Sequence, residues 1–397
     1  MSGITALGTT YNLPNYSGIL YQLTPADVPF FSAIGGLSGG GGQAADYEFE
    51  WETFDLRDAA QNTVLEGADA PTEQNRVRAN ATNILQIHQE TVGVSYTKQA
   101  ANQRKSGLNN DQSNPVANEL DWQTEQMLKQ MVRDINWSFI NGVYQKPSDN
   151  TTARKTRGLL SAIASNVTDA AGGVTATGTA AASTDLITLT THGLAAGDTV
   201  TFSSVGTATP LIAGQAYYVL AAGLTANDFK VSRTKGGVPV DITANGTVIW
   251  SKGVALTKTM VDDTLQMAYD NGGLTEQATA TLLCGSAQKR AITNAYVTAG
   301  NYVRKELVGN VGGVTVDRID TDFGTLNVML DRAMSQSTVA VVSMEQCSPV
   351  YLDIPGKGHF FQEPLAKTGA KDRNQIYGEV GLKYGNERAH AKILNLK

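Results

Sequence analysis

Asp46-Tyr47-Glu48-Phe49-Glu50-Trp51-Glu52 alternates acid and aromatic without a slip. Successive side chains on a strand point to opposite faces, so Asp46, Glu48, Glu50 and Glu52 share one face, and Tyr47, Phe49 and Trp51 the other. A second β-like stretch, Asn83 to Tyr96, carries Ile84, Ile87, Val92, Val94 and Tyr96. A polar connection, Arg57 to Asn80, lies between them and holds Gly67 and Pro71. Residues 46–98 therefore read as one long antiparallel hairpin with a broad tip. Four carboxylates on one face repel each other unless cations or water lie opposite. Arg76 and Arg78 are candidate partners, from the returning arm or from a neighbouring subunit.

Upstream, residues 1–45 are rich in Gly, Pro, Ser and Thr and carry one charge, Asp27. Tyr11, Tyr16, Ile19, Tyr21, Phe30 and Phe31 are scattered through them without a helical or strand period. Pro14, Pro25 and Pro29 enforce extended backbone. The segment reads as an apolar arm that lies on another surface, followed by a joint at Gly35, Gly36 and Gly39 to Gly42 with little backbone restriction.

Downstream, Asn114-Pro115 offers a helix cap followed by proline at the first helical position. Val116, Leu120, Met127, Leu128, Met131, Ile135, Phe139 and Val143 recur at helical spacings, and the stripe continues to about Tyr144. Some thirty residues predict a rod of roughly 45 Å within a segment at 99–171. Residues 172–250 differ in character: seven of the seventy-nine are charged and none is Glu. Short β-type runs (186–190, 199–203, 216–220, 229–232, 238–242 and 247–250) separated by Gly, Asn and Asp argue for a small inserted β-sandwich or barrel. Beyond it the pattern is mixed. Helices are expected from Thr259 to Asp270 and from Ser286 to about Val297. Strands are expected at 280–284, 314–319, 325–330, 339–344, 349–352, 375–383 and 389–396.

The chain has 397 residues, more than one ordinary domain. Its net charge is −6, so no global basic field holds nucleic acid. No apolar run approaches the ~20 residues of a transmembrane helix. The first basic residue is Arg57, so the opening lacks the charged start of a secretory signal. Two cysteines, Cys284 and Cys347, make neither a disulfide framework nor a zinc quartet. Walker, zincin and C-x-x-C motifs are missing. His88, His192, His359 and His390 are far apart, and the acidic strand is better read as a solvated or salt-bridged face than as a catalytic carboxylate pair. No catalytic residue, cofactor or metal is expected.

The order of parts resembles the major capsid proteins of tailed bacteriophages. Specific stretches are similar too: Tyr11-Asn12-Leu13-Pro14, Leu23 to Phe30, Glu66-Gly67-Ala68, Arg157-Gly158-Leu159, Thr321-Asp322-Phe323-Gly324, Leu365 to Gly369, and Gly378 to His390. The resemblance covers nearly the whole chain except 172–250. That insert separately resembles small β-domains of phage structural proteins, through Thr191-His192-Gly193-Leu194 and Ala216-Tyr217-Tyr218-Val219.

The resemblance implies an α+β fold with an N-terminal arm (1–45), an extended hairpin loop (46–98) and a peripheral domain with a long spine helix (99–171). It also implies the all-β insertion (172–250), an axial domain (251–310) and a return to peripheral strands (311–397). The implied function is a structural subunit forming hexamers and pentamers of an icosahedral head around double-stranded DNA, assembled in the host cytoplasm. Separate scaffolding, portal and cement proteins are the implied partners, with no membrane. An encapsulin-type compartment is the alternative, an adhesin or tail component a third reading, and a hydrolase a remote fourth. Some relatives lock the shell by an isopeptide bond from a lysine of the extended loop. The first lysine here is Lys98, so no residue of the arm or the loop tip can supply one, and cohesion is expected to be non-covalent. The chain opens directly on the arm, which suggests a separate scaffold or an extension already cleaved. The insertion is expected as an exterior lobe on the axial domain. Candidate intersubunit contacts are Tyr16, Phe30, Phe31, Glu48, Glu50, Trp51, Glu52, Arg57, Arg76 and Arg78.

Overall fold

The structure, a computed structural model, describes residues 26–37, 41–57, 59–100, 118–275, 280–299 and 318–397. Tyr16, the Asn114-Pro115 cap and part of the glycine joint fall outside these residues. The long helix runs Glu119–Asn141, and Asn118 caps it by accepting from the backbone N–H groups of Leu120 and Asp121. Its 23 residues make a rod of about 35 Å, shorter than the spacing predicted. The helix stops at Gly142, ahead of the expected Tyr144, because two chain segments meet there backbone to backbone. Gly158 N–H donates to the Gly142 carbonyl at 2.9 Å, and a Cβ on Gly142 would collide with the Ser138 and Thr156 carbonyl oxygens.

Three sheets surround this helix. The first is centred on Lys371–Lys383, a 13-residue strand. Gln86–Ser95 pairs with one of its edges; Phe360–Pro364 and then Ser348–Leu352 share the other, and Gly42–Ala44 lies parallel outside Ser348–Leu352. Met131, Ile135 and Phe139 of the helix share a core with Ile376, Val380 and Leu382 of that strand. Leu128 and Val143 belong to the predicted stripe but remain exposed.

The second sheet has the order Arg318–Thr321, Gly324–Leu330, Ala280–Cys284, Val339–Ser343, Ala391–Leu394, Val167–Asp169. Helices Lys258–Asp270 and Ser286–Ala299 pack on it. Thr257 caps the first of these helices, and the core contains Val261, Leu265, Leu282, Ile292, Val341 and Ile393. Residues from before and after the insertion thus complete one sheet.

The insertion makes a third sheet with its own core of Ile187, Val200, Phe202, Tyr217, Phe229, Val248 and Trp250. Ala176–Ala181, absent from the expected runs, is one of its strands. The expected run at 238–242 contributes only a bridge, Ser232 to Pro239, and one further backbone bond. The two ends of the strand order are Asp228–Phe229 and Val231–Ser232, adjacent in sequence. The sheet therefore curls round on itself as a small barrel. Gln215 ties it to the end of the long helix through Asn141 at 3.2 Å.

The hairpin differs from its expected form. Glu48–Phe54 pairs with Arg78–Ile84, from Glu48 opposite Ile84 to Phe54 opposite Arg78. The stretch expected as the return arm lies mainly in Gln86–Ser95, which belongs to the first sheet. Ile84 and Leu85 are both fully buried, and two adjacent inward residues break the two-residue period of a strand. Leu85 N–H donates to the Tyr47 carbonyl at 2.8 Å, and the pairing changes partner at this point.

His88 lies on the strand that follows. It is buried, and its Nε2 has no hydrogen-bond partner among the described residues. Burial lowers the imidazole to about 4. An unfolded histidine takes up its proton near 6.5, so between pH 6.5 and 4 the unfolded chain binds a proton that the folded chain refuses. Stability falls on acidification through that window, by up to about 3 kcal/mol from this residue. His390, buried and fixed between Ser343 N–H and the Tyr384 carbonyl, shifts in the same direction. His88→Met is expected to flatten the pH 7.5-to-4.5 drop in urea midpoint. An unchanged drop would remove His88 as its cause.

Candidate intersubunit surface

The hairpin is anchored at its root. Trp51 is buried; its indole N–H donates to the Gly385 carbonyl at 2.8 Å, and its ring meets Tyr384 edge-on at 4.9 Å. Asn83, fully buried, donates to the carbonyls of Arg157 and Leu382 and accepts from Arg157 N–H. Phe49 lies over Gly381, where a Cβ would come within 2.7 Å of its ring. Arg154 sits over the Tyr47 ring and pairs with the buried Glu379 at 2.9 Å.

The acidic face of the first strand is answered within the chain. Glu48 meets Lys146 at 2.6 Å, Glu52 meets Arg78 at 2.7 Å, and Glu50 accepts from Asn80 at 3.1 Å. These three carboxylates and Arg78, expected as contacts between subunits, thus have partners inside one subunit. Glu50, Glu52 and Arg78 remain exposed beside these partners, whereas the Trp51 ring is buried on its own root.

Phe30 and Phe31 are corrected too. Pro29–Ala33 forms a short helix starting at proline, and both phenylalanines are in the core, Phe31 edge-on to Phe139 at 5.5 Å. A buried polar hub fixes them. Asp331 accepts from Phe30 N–H at 3.2 Å, from the Asn136 amide at 3.1 Å and from Ala333 N–H at 2.8 Å. Asn136 in turn accepts from Phe31 N–H at 3.0 Å. These large apolar residues leave nothing to offer a neighbour. Sequence reasoning missed Asn136 and Asp331; a polar pair in an apolar helix stripe and at a strand end was the available signal.

What remains outward is the tip. Every described residue from Phe54 to Asn80 is exposed, including Leu56 at 70%, Val64 at 71%, Leu65 at 84% and Val77 at 83%. Arg57 and Arg76 lie here, two of the candidate contacts that stay on the surface, with Glu50, Glu52 and Arg78 exposed on the adjoining strands. Residues 55–77 hold five carboxylates and two arginines, a net charge of −3.

At the far end of Gln86–Ser95 the charges are paired. Tyr96 N–H donates to the Ala370 carbonyl, and the Lys367 ammonium lies 5.4 Å from the Tyr96 ring centre. Lys367 pairs with Asp372 at 3.2 Å, and Lys98 lies 3.9 Å from Glu119. Asp372 is held below the usual carboxylate range, chiefly by Lys367.

Catalytic chemistry has little to work with. Burial pushes the Cys284 thiol up to about 11 and that of Cys347 higher still, so neither is a ready thiolate. Among the described residues, no three His, Cys, Asp or Glu side chains gather as a metal site.

The comparisons agree with this outline. The capsid asymmetric unit of cyanophage A-1(L) superposes with a TM-score of 0.53 at 10% identity, covering 98% of both chains. The capsid of cyanophage P-SCSP1u gives 0.50 at 8% identity, covering 98% of this chain and 96% of the other. None of the curated proteins matches the chain. The fold is therefore that of phage capsid proteins, as the resemblance implied. The SU10 major capsid protein family model matches residues 3–397, which decides for a phage head over the encapsulin-type alternative. The chain belongs to the SU10 major capsid protein family and is a structural, self-associating subunit of a virion capsid.

Proposed function

We propose that the chain assembles as hexamers and pentamers into an icosahedral head enclosing double-stranded DNA, with the 55–77 tip laid on an adjacent subunit. The tip carries this reading, because the long loop beyond the paired strands exposes Leu56, Val64, Leu65 and Val77 together, and exposed apolar side chains of that number mark a surface that a partner covers. A net charge of −6 suits enclosure of DNA without tight phosphate binding, which would stall packing. Separate scaffolding, portal and cement proteins complete the particle, which is built in the host cytoplasm. Cohesion is non-covalent, since residues 55–77 of the tip hold no lysine.

Electron microscopy of the purified chain is expected to show closed particles, and denaturing gels of those particles a single monomer band. Free monomers at every concentration would overturn the assembly reading, and a ladder of covalent oligomers the non-covalent one. The barrel is an added lobe on the outer surface: its strands close on one another and its core is separate. Deleting 174–250 is expected to leave shells of normal size. Loss of shells from a chain that still folds would assign the barrel to the capsomer framework instead.

A further inference from the structure

We infer that the outer edge of Gln86–Ser95 docks on the same edge of a second copy, so that two subunits share one continuous sheet across a twofold axis. This rests on the capsid reading and names a contact that the 55–77 tip does not make.

The register fixes which backbone groups are free. Lys371–Lys383 pairs with one side of Gln86–Ser95, from Ser95 opposite Lys371 to Gln86 opposite Val380. Tyr96 N–H continues that ladder by donating to the Ala370 carbonyl, while the Arg373 carbonyl accepts from Leu365 on the far side. Even-numbered residues of Gln86–Ser95 therefore turn their amides and carbonyls toward Lys371–Lys383. Ile87, Gln89, Thr91, Gly93 and Ser95 turn theirs the other way, and no backbone partner meets them there among the described residues. At Leu85, the next odd position, that side is already taken, because its N–H donates to the Tyr47 carbonyl. At the other end the strand stops as Tyr96–Ala100 turns helical. The bare run is 87–95 and no longer.

This run has none of the devices that keep an edge to itself. Its five outward residues include no charge and no proline, and all five are exposed. Their free amides and carbonyls form a template about 27 Å long for another strand.

The run is also its own complement. Laid antiparallel about Thr91, Ile87 meets Ser95, Gln89 meets Gly93 and Thr91 meets itself, so a large side chain always faces a small one away from the centre. Each opposed pair exchanges two backbone bonds, and threonine opposite threonine is a favourable cross-strand pair. The dyad of such a ladder stands perpendicular to the sheet. It keeps both Glu119–Asn141 helices, which cover the face of Ile376 and Val380, on one side, as two tiles of one wall require. A contact made by the same surface on both partners closes after two copies, so it joins subunits in pairs and leaves ring formation to other surfaces.

The test uses the full chain. Thr91 N–H points outward, so Thr91→Pro keeps the internal ladder and suits an edge position. It is expected to leave thermal melting unchanged and to raise the concentration needed for particles at least tenfold, read by sedimentation and electron microscopy. Thr91→Val keeps the N–H and should assemble within threefold of the parent. Thr91→Cys sets two thiols in one opposed pair, with Cα atoms about 5.5 Å apart, within the span of a disulfide. Oxidised particles, alkylated and run on a non-reducing gel, should show most chains as dimers. Gln89→Cys, whose copies lie about 14 Å apart in this ladder, should show less than a tenth as much. The native Cys284 and Cys347 are buried and do not compete.

Thr91→Pro particles at the parent's concentration, or equal cross-linking at 89 and 91, would overturn the pairing and leave the capsid reading standing. Lost assembly in Thr91→Pro with no cross-link at 91 would give the edge to a strand of another kind and overturn it too. If Thr91→Pro melts lower than the parent, the cross-link comparison decides. Chains that cross-link at 91 as free dimers and build particles at no concentration would uphold the pairing and sink the capsid reading.

Discussion

Asp331→Ala is expected to lower the unfolding free energy by about 4 kcal/mol, measured by urea denaturation at pH 7.5. The carboxylate is 1% exposed and accepts from Phe30 N–H, the Asn136 amide and Ala333 N–H. Removing it leaves two buried donors and the half-buried Ala333 N–H without an acceptor, each buried one worth roughly 1–3 kcal/mol. The damage should spread to residues 28–34, because Phe31 N–H is held only through Asn136 and both phenylalanines would lose their backbone anchor. Arg332→Ala, next in sequence, supplies the control. Its pair with Asp27 is exposed, and such pairs contribute at most about 1 kcal/mol. Equal effects of the two substitutions would show that the hub carries no special weight.

The second large effect concerns the hairpin root. Trp51→Ala is expected to cost about 3–5 kcal/mol through lost burial and the cavity left behind, and to free the ribbon from the body. A two-stranded hairpin without packing is marginal in water. Limited proteolysis should therefore cut within residues 48–84 at least ten times faster in the variant. Trp51→Phe keeps most of the ring contact with Tyr384 and loses only the bond to Gly385, so it should fall between the two. Phe54→Ala, at an exposed position of the same strand, should change neither stability nor cleavage. A variant as stable and protease-resistant as the parent would show that the root is held by Asn83 and Phe49 alone.

The long helix, the inserted all-β segment and the later strands were legible because their periods run over many residues. So was the alternation of Tyr47, Phe49 and Trp51, although it could not say whose surface those rings would cover. The return strand was misread because both Arg78–Ile84 and Gln86–Ser95 favour extended backbone. The clue was local: Ile84 and Leu85 side by side shift the inward phase by one residue. Phe30 and Phe31 were illegible for a different reason. Their helix is five residues long, too short to show a period, and their anchors Asn136 and Asp331 lie 105 and 301 residues away along the chain. The candidate surface was half legible. Its acidic ribbon was plain, but a cation that answers it, Lys146 at Glu48, lies 98 residues further along the chain, where no local pattern reveals it.

The rolled form of the inserted lobe has a consequence for a crowded lattice. Many copies held a few nanometres apart would invite strand-to-strand fusion if each one carried an open rim of free amides and carbonyls. Because 228–232 stitches the first strand of this sheet to the last, neighbouring lobes can jostle without zipping together. Contact between such lobes is then left to side chains and not to backbone edges.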